Sequence, residues 1–314
     1  MRHPCLPSAC LPAVVQVPAI LMAKTGDDKL VAFEEWAWPC HLEAKFLEKR
    51  VMKYDSTQFD FVGATEAILK HSPLSDLHNA PIIAVEETET APALRRAQVQ
   101  AQVGGRITKE ERKLARSRAW RFDRSTEWRT FMDVYQRFIT DWVVPQFGVP
   151  LLYQRKPILR CVLPGSVAPT QLHCDADYFH DSNEVNFWVP LTHCSGATSL
   201  WSESAPGLGD YADFVAGPGE AVRFYGNRCR HYTIPNNSDR VRVSFDFRVI
   251  PQPLFKPPSL LASTLSKHAL DPGSSKKGYY ALAEPAGDRQ EITSASSLGE
   301  LRRSWRETPR RAPP

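Results

Sequence analysis

No apolar run in the chain approaches the ~18 residues that a membrane-spanning helix needs, which argues for a protein without a membrane partner. The seven cysteines, at positions 5, 10, 40, 161, 174, 194 and 229, are odd in number and include no C-x-x-C. Neither a disulfide framework nor a structural zinc site is therefore signalled, and a reducing, cytoplasmic setting is the simpler reading. Charge of one sign is also scarce. The 39 Lys and Arg residues against 35 Asp and Glu leave +4 on 314 residues, too little to imply a general polyanion partner such as nucleic acid. No repeat with a period of about 20 to 50 residues is visible. Residues 1–24 lack acids, as organelle transit peptides do, but Pro12 and Pro18 interrupt LPAVVQVPAILMA and argue against a secretory apolar region.

Hydrophobic residues at 42% and charged residues at 24% are ordinary globular usage, so wholesale disorder is excluded. The 26 prolines crowd the first twenty positions and the stretch after Pro251, which predicts irregular ends around an organised middle. Residues 32–54 read as mixed and helical, and 86–92 as an exposed linker. Residues 107–124 read as a solvated basic helix, with Thr108 and Glu111 in capping-box spacing. Next, Trp128, Phe131, Met132, Tyr135, Phe138, Ile139 and Trp142 fall on one face of an α-helix, a face that needs a large apolar partner.

After Pro150 the period changes. ILRCVL (158–163), TQLHCDADY (170–178), EVNFWVPL (184–191), TSLWSES (198–204), GEAVRFYG (219–226) and RVRVSFDFRVI (240–250) read as short strands bounded by turn residues. Without intervening amphipathic helices they argue for a mainly β fold with flanking helices, best a double-stranded β-helix, that is, a cupin-like jelly roll. Successive strand side chains point oppositely, so Arg242, Ser244, Asp246 and Arg248 share one face and Val241, Val243, Phe245 and Phe247 the other. The Val/Phe face suits the helix of 128–142, which would cover one sheet. The polar face would then line a lumen, where it needs a bound polar species. The expected organisation is an irregular 1–29, a mostly helical 30–145 packing on the sheet, a jelly-roll core at 146–252, and an irregular tail at 253–314.

On the predicted strand 170–178, His173 and Asp175 lie two apart and face the same side. Alone this means little, since about one His-x-acid pair is expected by chance and His41-Leu42-Glu43 is another. His231, beyond GEAVRFYG, is the third candidate. Two imidazoles and a carboxylate form the facial triad of non-haem Fe(II) sites, with positions left open for substrate and O2. Asp177 and His180 are local competitors. Arg242 and Ser244, on one face eleven and thirteen residues after His231, offer a guanidinium fork and a hydroxyl suited to a carboxylate. Together these residues describe a 2-oxoglutarate site, with the keto acid on the metal and its far carboxylate on Arg242 and Ser244.

The stretches LHCDADYFHDSNEVNFWVPLTHCSGATSLWSESAPGLGD and GPGEAVRFYGNRCRHYTIPNNSDRVRVSFDFRVIP resemble the Fe(II)/2-oxoglutarate-dependent oxygenases of the streptomycin-biosynthesis StrG-like family. More distantly they resemble the phytanoyl-CoA dioxygenases. The likeness covers about residues 150–251, with a faint extension to Gly278-Tyr279-Tyr280. It implies His173, Asp175 and His231 as iron ligands, Arg242 and Ser244 as the cosubstrate anchor, and Asn186 and Trp188 as contacts to cosubstrate or substrate. It also implies hydroxylation or desaturation of a polar small molecule, because related halogenases lack the carboxylate that Asp175 supplies. Two other readings of the same residues stay open: a jelly-roll binding protein without redox chemistry, and a cupin-like metalloenzyme that does not use 2-oxoglutarate. Glu203 could meet a cationic substrate group. Oligomeric state is not legible from the sequence.

Overall fold

The computed structural model describes residues 40–82, 92–101, 109, 125–178, 180–255 and 279–285. The expectations for 1–29, for most of 86–92 and for the basic helix at 107–124 lie outside the described residues, Lys109 and Pro92 apart.

Helix α1 (Ala44–Leu47) is a single turn, followed by strand β1 (Arg50–Lys53), where the sequence suggested helix throughout. Helix α2 (Phe61–Leu69) is capped by Asp60, whose side chain accepts from the Gly63 N–H, and it ends on Lys70 in the left-handed region. Helix α3 (Pro92–Ala101) comes next among the described elements, then α4 (Thr126–Phe138), opened by the Ser125 hydroxyl accepting from the Trp128 N–H at 3.0 Å. A π-turn at Ile139–Val143 and a further short helix, α5 (Val144–Phe147), extend α4 to Gly148, whose φ of 68° ends it. The π-turn rotates the buried face: Ile139, Val143 and Val144 point inward, whereas Trp142 is only partly buried.

The strands form two antiparallel sheets. The large sheet runs β1, β7 (Glu220–Phe224), β4 (Val185–Pro190), β9 (Arg242–Pro251), β2 (Leu151–Gln154), β10 (Tyr280–Ala283). Strand β3 (Ile158–Val162) also pairs with β9, so β9 carries β4 on one edge and β2 and β3 in tandem on the other. The small sheet is β6 (Ala212–Asp213), β5 (Trp201–Ser202), β8 (His231–Tyr232). Two outer strands of the large sheet therefore lie beyond 146–252: β1 falls in the stretch expected to be helical, and β10 in the expected irregular tail. Such strands are short and make sense only once a neighbour is in place, which is why local pattern did not show them. The segment 170–178 is no strand either. It holds one bridge residue, His173, and a 3-10 turn at Asp175–Tyr178.

The core lies between the helices and the Val/Phe face of β9. Phe245 meets Phe61 and Phe131 at ring-centroid distances of 4.7 and 5.5 Å, and Phe247 meets Tyr135 at 5.4 Å and Phe187 of β4 at 5.0 Å. Phe138 sits at the hub, against Tyr54, Phe59, Phe61 and Trp142, with its side chain wholly buried. Replacing Phe138 with Ala is expected to lower the unfolding free energy by about 3 to 5 kcal/mol, since the surrounding rings cannot collapse into the space left. Urea denaturation of the two proteins measures the difference, and a loss below 1 kcal/mol (about one methylene's worth) would contradict this packing.

Candidate metal and carboxylate site

The opposite face of β9 and the adjoining strands line a small cavity that opens to solvent. Arg160, Asn186, Trp188, Arg242, Asp246 and Arg248 border it from the large sheet, and His231 from the small one. Register explains why these side chains converge. Asn186 lies opposite Arg248, Trp188 opposite Asp246, and Arg160 opposite Ser244, so all point to the same side.

His173 and His231 are joined by an antiparallel bridge, each amide donating to the other's carbonyl, at 3.1 and 2.8 Å. Their rings lie 4.3 Å apart. The Nδ1 of His173 is 2.7 Å from the Gln171 carbonyl and that of His231 is 3.0 Å from the Cys229 carbonyl. A carbonyl can only accept, so both Nδ1 atoms carry the proton and both Nε2 lone pairs are left for a metal. Asp175 Oδ1 lies 3.7 Å from Nε2 of His173 and 3.9 Å from Nε2 of His231. Two atoms that each bind one ion at ~2.1 Å can be at most ~4.2 Å apart, and both spacings satisfy that limit. The three ligand atoms all fall within 4.8 Å of one another, and among the described residues this is the metal-competent group.

No strand joins His173 to Asp175. Their shared direction comes from the bridge to His231 and from the turn beyond it, in which the Asp175 and Ala176 amides donate to the carbonyls of Gly226 and Asn227 at 2.9 and 3.1 Å. One loop, 225–231, thus places all three ligands.

Asp175 is buried at 1% exposure and is gripped from behind. Arg248 donates through Nε to Oδ2 at 2.8 Å and through Nη2 to Oδ1 at 2.9 Å, a two-pronged contact. Asn186 Nδ2 donates to Oδ2 at 2.6 Å, and Asn186 Oδ1 accepts from the Gly226 amide at 3.1 Å. Burial resists ionisation of Asp175, but the Arg248 charge and hydrogen bonds outweigh it and hold the carboxyl well below the usual range. Burial likewise disfavours charge on both imidazoles. In His231 it prevails and lowers the pKa, whereas the Asp175 contact overrides it in the less buried His173. Arg248 escaped sequence reasoning as a partner of the site, although strand parity already put it on the lumen face. Asn186, expected to touch cosubstrate or substrate, has both ends of its amide committed to Asp175 and Gly226. Trp188 lines the cavity wall and packs on Phe214 at 5.8 Å.

Arg242 and Ser244 sit farther along β9, both buried, at 2% and 0% exposure. Arg242 Nη1 donates to the Ser199 carbonyl at 3.3 Å, but among the described residues its Nε has no hydrogen-bond partner, and neither has the Ser244 hydroxyl. Burial, aided by the Arg160 charge and only partly offset by Asp246, pushes the Arg242 pKa down to about 10. The remaining candidates are occupied elsewhere. His180 Nδ1 is 2.9 Å from buried Glu184, and Asp177 accepts from the Cys174 amide at 3.1 Å. Glu203 accepts from the amides of Gly207, Gly209 and Arg230, which makes it a loop clamp rather than a substrate contact. The five cysteines among the described residues are free thiols, and burial pushes that of Cys229 up to about 12. No helix among the described residues is long and apolar enough to cross a membrane.

No family model matches the chain. A stretch of 104 residues is 38% identical to the streptomycin biosynthesis protein StrG of Streptomyces griseus, covering 33% of this chain and 49% of that protein. The chain spans about half the length of that curated relative. Among solved structures, the α-ketoglutarate-dependent carbocyclase SnoK from nogalamycin biosynthesis is 14% identical with a TM-score of 0.38, over 77% of this chain and 97% of SnoK. CytC3 with Fe(II) and α-ketoglutarate is 22% identical with a TM-score of 0.31, over 38% and 52% of the two chains. Likeness at that level does not assign an activity, and the geometry has to do so.

Gly226 tests how the site is assembled. A Cβ there would lie 2.8 Å from Cγ, Nδ2 and Oδ1 of Asn186, whose side chain is buried and cannot withdraw. Gly226→Ala should therefore displace Asn186 from Asp175 and weaken Co(II) binding by about 10- to 100-fold, the usual effect of losing an outer hydrogen-bond partner. Co(II) titration followed by its visible absorption reads this directly, and unchanged affinity would show that Asn186 does not orient the ligand.

Proposed function

We propose that the chain is an Fe(II)- and 2-oxoglutarate-dependent dioxygenase, built on a double-stranded β-helix, that hydroxylates or desaturates a polar small molecule. The observation that carries this reading is that two of the buried side-chain atoms left without a hydrogen bond among the described residues, Arg242 Nε and Ser244 Oγ, lie on the same face of β9 as Arg248, the partner of Asp175, in the fold that also holds His173 and His231. A buried guanidinium short of an anion costs several kcal/mol, and neither a cupin-like metalloenzyme that does not use 2-oxoglutarate nor a jelly-roll binding protein without redox chemistry needs a carboxylate clamp beside the metal. A dicarboxylate answers both ends of the cavity. The donor set fits the metal as well, since two neutral imidazoles and one ionised carboxylate suit Fe(II) and leave further positions open.

When bound, Fe(II) and 2-oxoglutarate supply the oxidising chemistry, in which O2 and the keto acid are consumed, CO2 and succinate are released, and the substrate is oxidised. The protein's own part is positional. His173 and His231 present Nε2, held in that tautomer by the Gln171 and Cys229 carbonyls. Arg248 and Asn186 keep Asp175 ionised and aimed. Arg242 and Ser244 take the far carboxylate of the keto acid and so set how deeply it enters. Trp188 and Phe224 wall the cavity with apolar surface that limits water beside the reacting groups.

Difference absorption under anaerobic conditions should show a visible band when Fe(II) and 2-oxoglutarate are both present, and His173→Ala, Asp175→Ala or His231→Ala should abolish it. Arg242→Ala should weaken 2-oxoglutarate binding by about 2 to 4 kcal/mol, roughly 30- to 700-fold. Arg242→Lys should recover only part of this, because it keeps charge but lacks the fork. Tight 2-oxoglutarate binding by Arg242→Ala, or a wild-type protein that binds metal but no keto acid, would rule the reading out.

A further inference from the structure

We propose that Tyr279, at the entry to the C-terminal strand β10, is a positioning residue for the metal ligand Asp175 and acts through Arg248. The inference rests on the metal site proposed above but not on the identity of the substrate.

Arg248 lies between two buried carboxylates. Its Nε is 2.8 Å from Asp175 Oδ2 and 3.5 Å from Glu184 Oε2, and Glu184 is wholly buried. One guanidinium fork cannot serve both in plane, so something must decide which carboxylate it faces. Two contacts on the far edge of the guanidinium do so. Arg248 Nη1 donates to Tyr279 Oη at 3.3 Å and to Gln154 Oε1 at 3.4 Å. Tyr279 in turn donates to Gln154 Oε1 at 3.0 Å, and Gln154 Nε2 donates to the Lys156 carbonyl at 2.7 Å, which fixes the amide's orientation. Held at Nη1, the fork of Nε and Nη2 faces Asp175.

The next residue deals with the competitor. Tyr280 donates its hydroxyl to Glu184 Oε1, and His180 Nδ1 lies 2.9 Å from Glu184 Oε2. Glu184 Oε1 is thereby hydrogen-bonded, whereas Oε2, the oxygen 3.5 Å from Arg248 Nε, makes no hydrogen bond among the described residues and stays a competitor for the guanidinium. Adjacent tyrosines at the entry to and start of β10, a strand hydrogen-bonded to β2, are distant in sequence from every metal ligand and divide two carboxylates between their cations. Loss of the Tyr279 hydroxyl would let Arg248 turn toward Glu184, and Asp175 would lose one arm of its clamp.

The test uses the full chain and Co(II) as probe. Tyr279→Phe, which keeps the ring and its packing, should raise the Co(II) dissociation constant by about 10-fold or more and alter the visible Co(II) spectrum, with the apo-protein's melting temperature little changed. Tyr279→Phe combined with Glu184→Gln should restore Co(II) affinity toward the wild-type value, because the competing charge is gone. A purely structural defect would not be repaired by a second change in the core. Unchanged Co(II) affinity in Tyr279→Phe, or a loss that Glu184→Gln fails to repair, would overturn the proposal. Wild-type protein that binds Co(II) but shows no response to 2-oxoglutarate would remove the oxygenase reading and leave this comparison intact. Wild-type protein that binds no Co(II) would remove both.

Discussion

Period-two alternation along β9 forces a polar face upon the protein wherever it takes an apolar one. To set Val243, Phe245 and Phe247 against the helices, the same strand must turn Arg242 and Ser244, both buried, and Asp246 and Arg248, both partly buried, to its reverse. The apolar face contributes stability in the ordinary way, roughly 1.5 to 3 kcal/mol for each large side chain removed from water. The polar face is unfavourable unless each group finds a partner. Asp246 finds Arg160 at 2.8 Å and Arg248 finds Asp175. Arg242 Nε and Ser244 Oγ find no hydrogen-bond partner among the described residues. The strand that closes the core therefore also creates the demand for a ligand, and stability and function are set by one sequence pattern.

The imbalance has a direction along the cavity. At one end two buried carboxylates, Asp175 and Glu184, face one guanidinium, Arg248, which leaves an excess of negative charge beside two imidazoles. At the other end two guanidinium groups, Arg160 and Arg242, share one carboxylate, Asp246, which leaves an excess of positive charge. A divalent cation complements the first end and a carboxylate the second. A molecule that chelates the cation and carries its own carboxylate at a distance links the two, so the charge distribution selects a chemical class before any atom of the ligand is placed.

Much of this was legible in the sequence where one local rule acts. Parity along 240–250 separated the lumen face from the helix face, and the 3.6-residue period of 128–142 marked the covering helix, because both depend only on neighbours along the chain. The failures share a different cause. The segment 170–178 looked like a strand, yet its two ligands are held by a cross-chain bridge and by backbone bonds to the 225–231 loop, which no local window contains. Strands β1 and β10 are too short to announce themselves without the sheet they join. Arg248 was visible as a lumen residue but not as the partner of Asp175, because that pairing spans 73 positions. The glycine at 226 carried a readable hint, since Tyr-Gly-Asn marks a turn, but its real constraint is the Asn186 side chain pressed against it.

These two kinds of contact differ in what they discriminate. On the proposed reading, any 2-keto acid could engage the metal, since that end of the molecule is common to all of them. Only a dicarboxylate of matching length would also partner Arg242 and Ser244. A shorter keto acid would leave the guanidinium buried and unpaired, and a site built around a polar partner rejects analogues that lack it far more strongly than an apolar pocket rejects a missing methylene. Cosubstrate choice is then decided at Arg242, deep on β9, while metal retention is decided at Asp175 behind the opposite end of the cavity. Because the two lie on separate loops and strands, joined only through β9, each can be tuned without loss of the other, and the remaining apolar wall of Trp188, Leu200 and Phe224 is left to shape what the substrate can be.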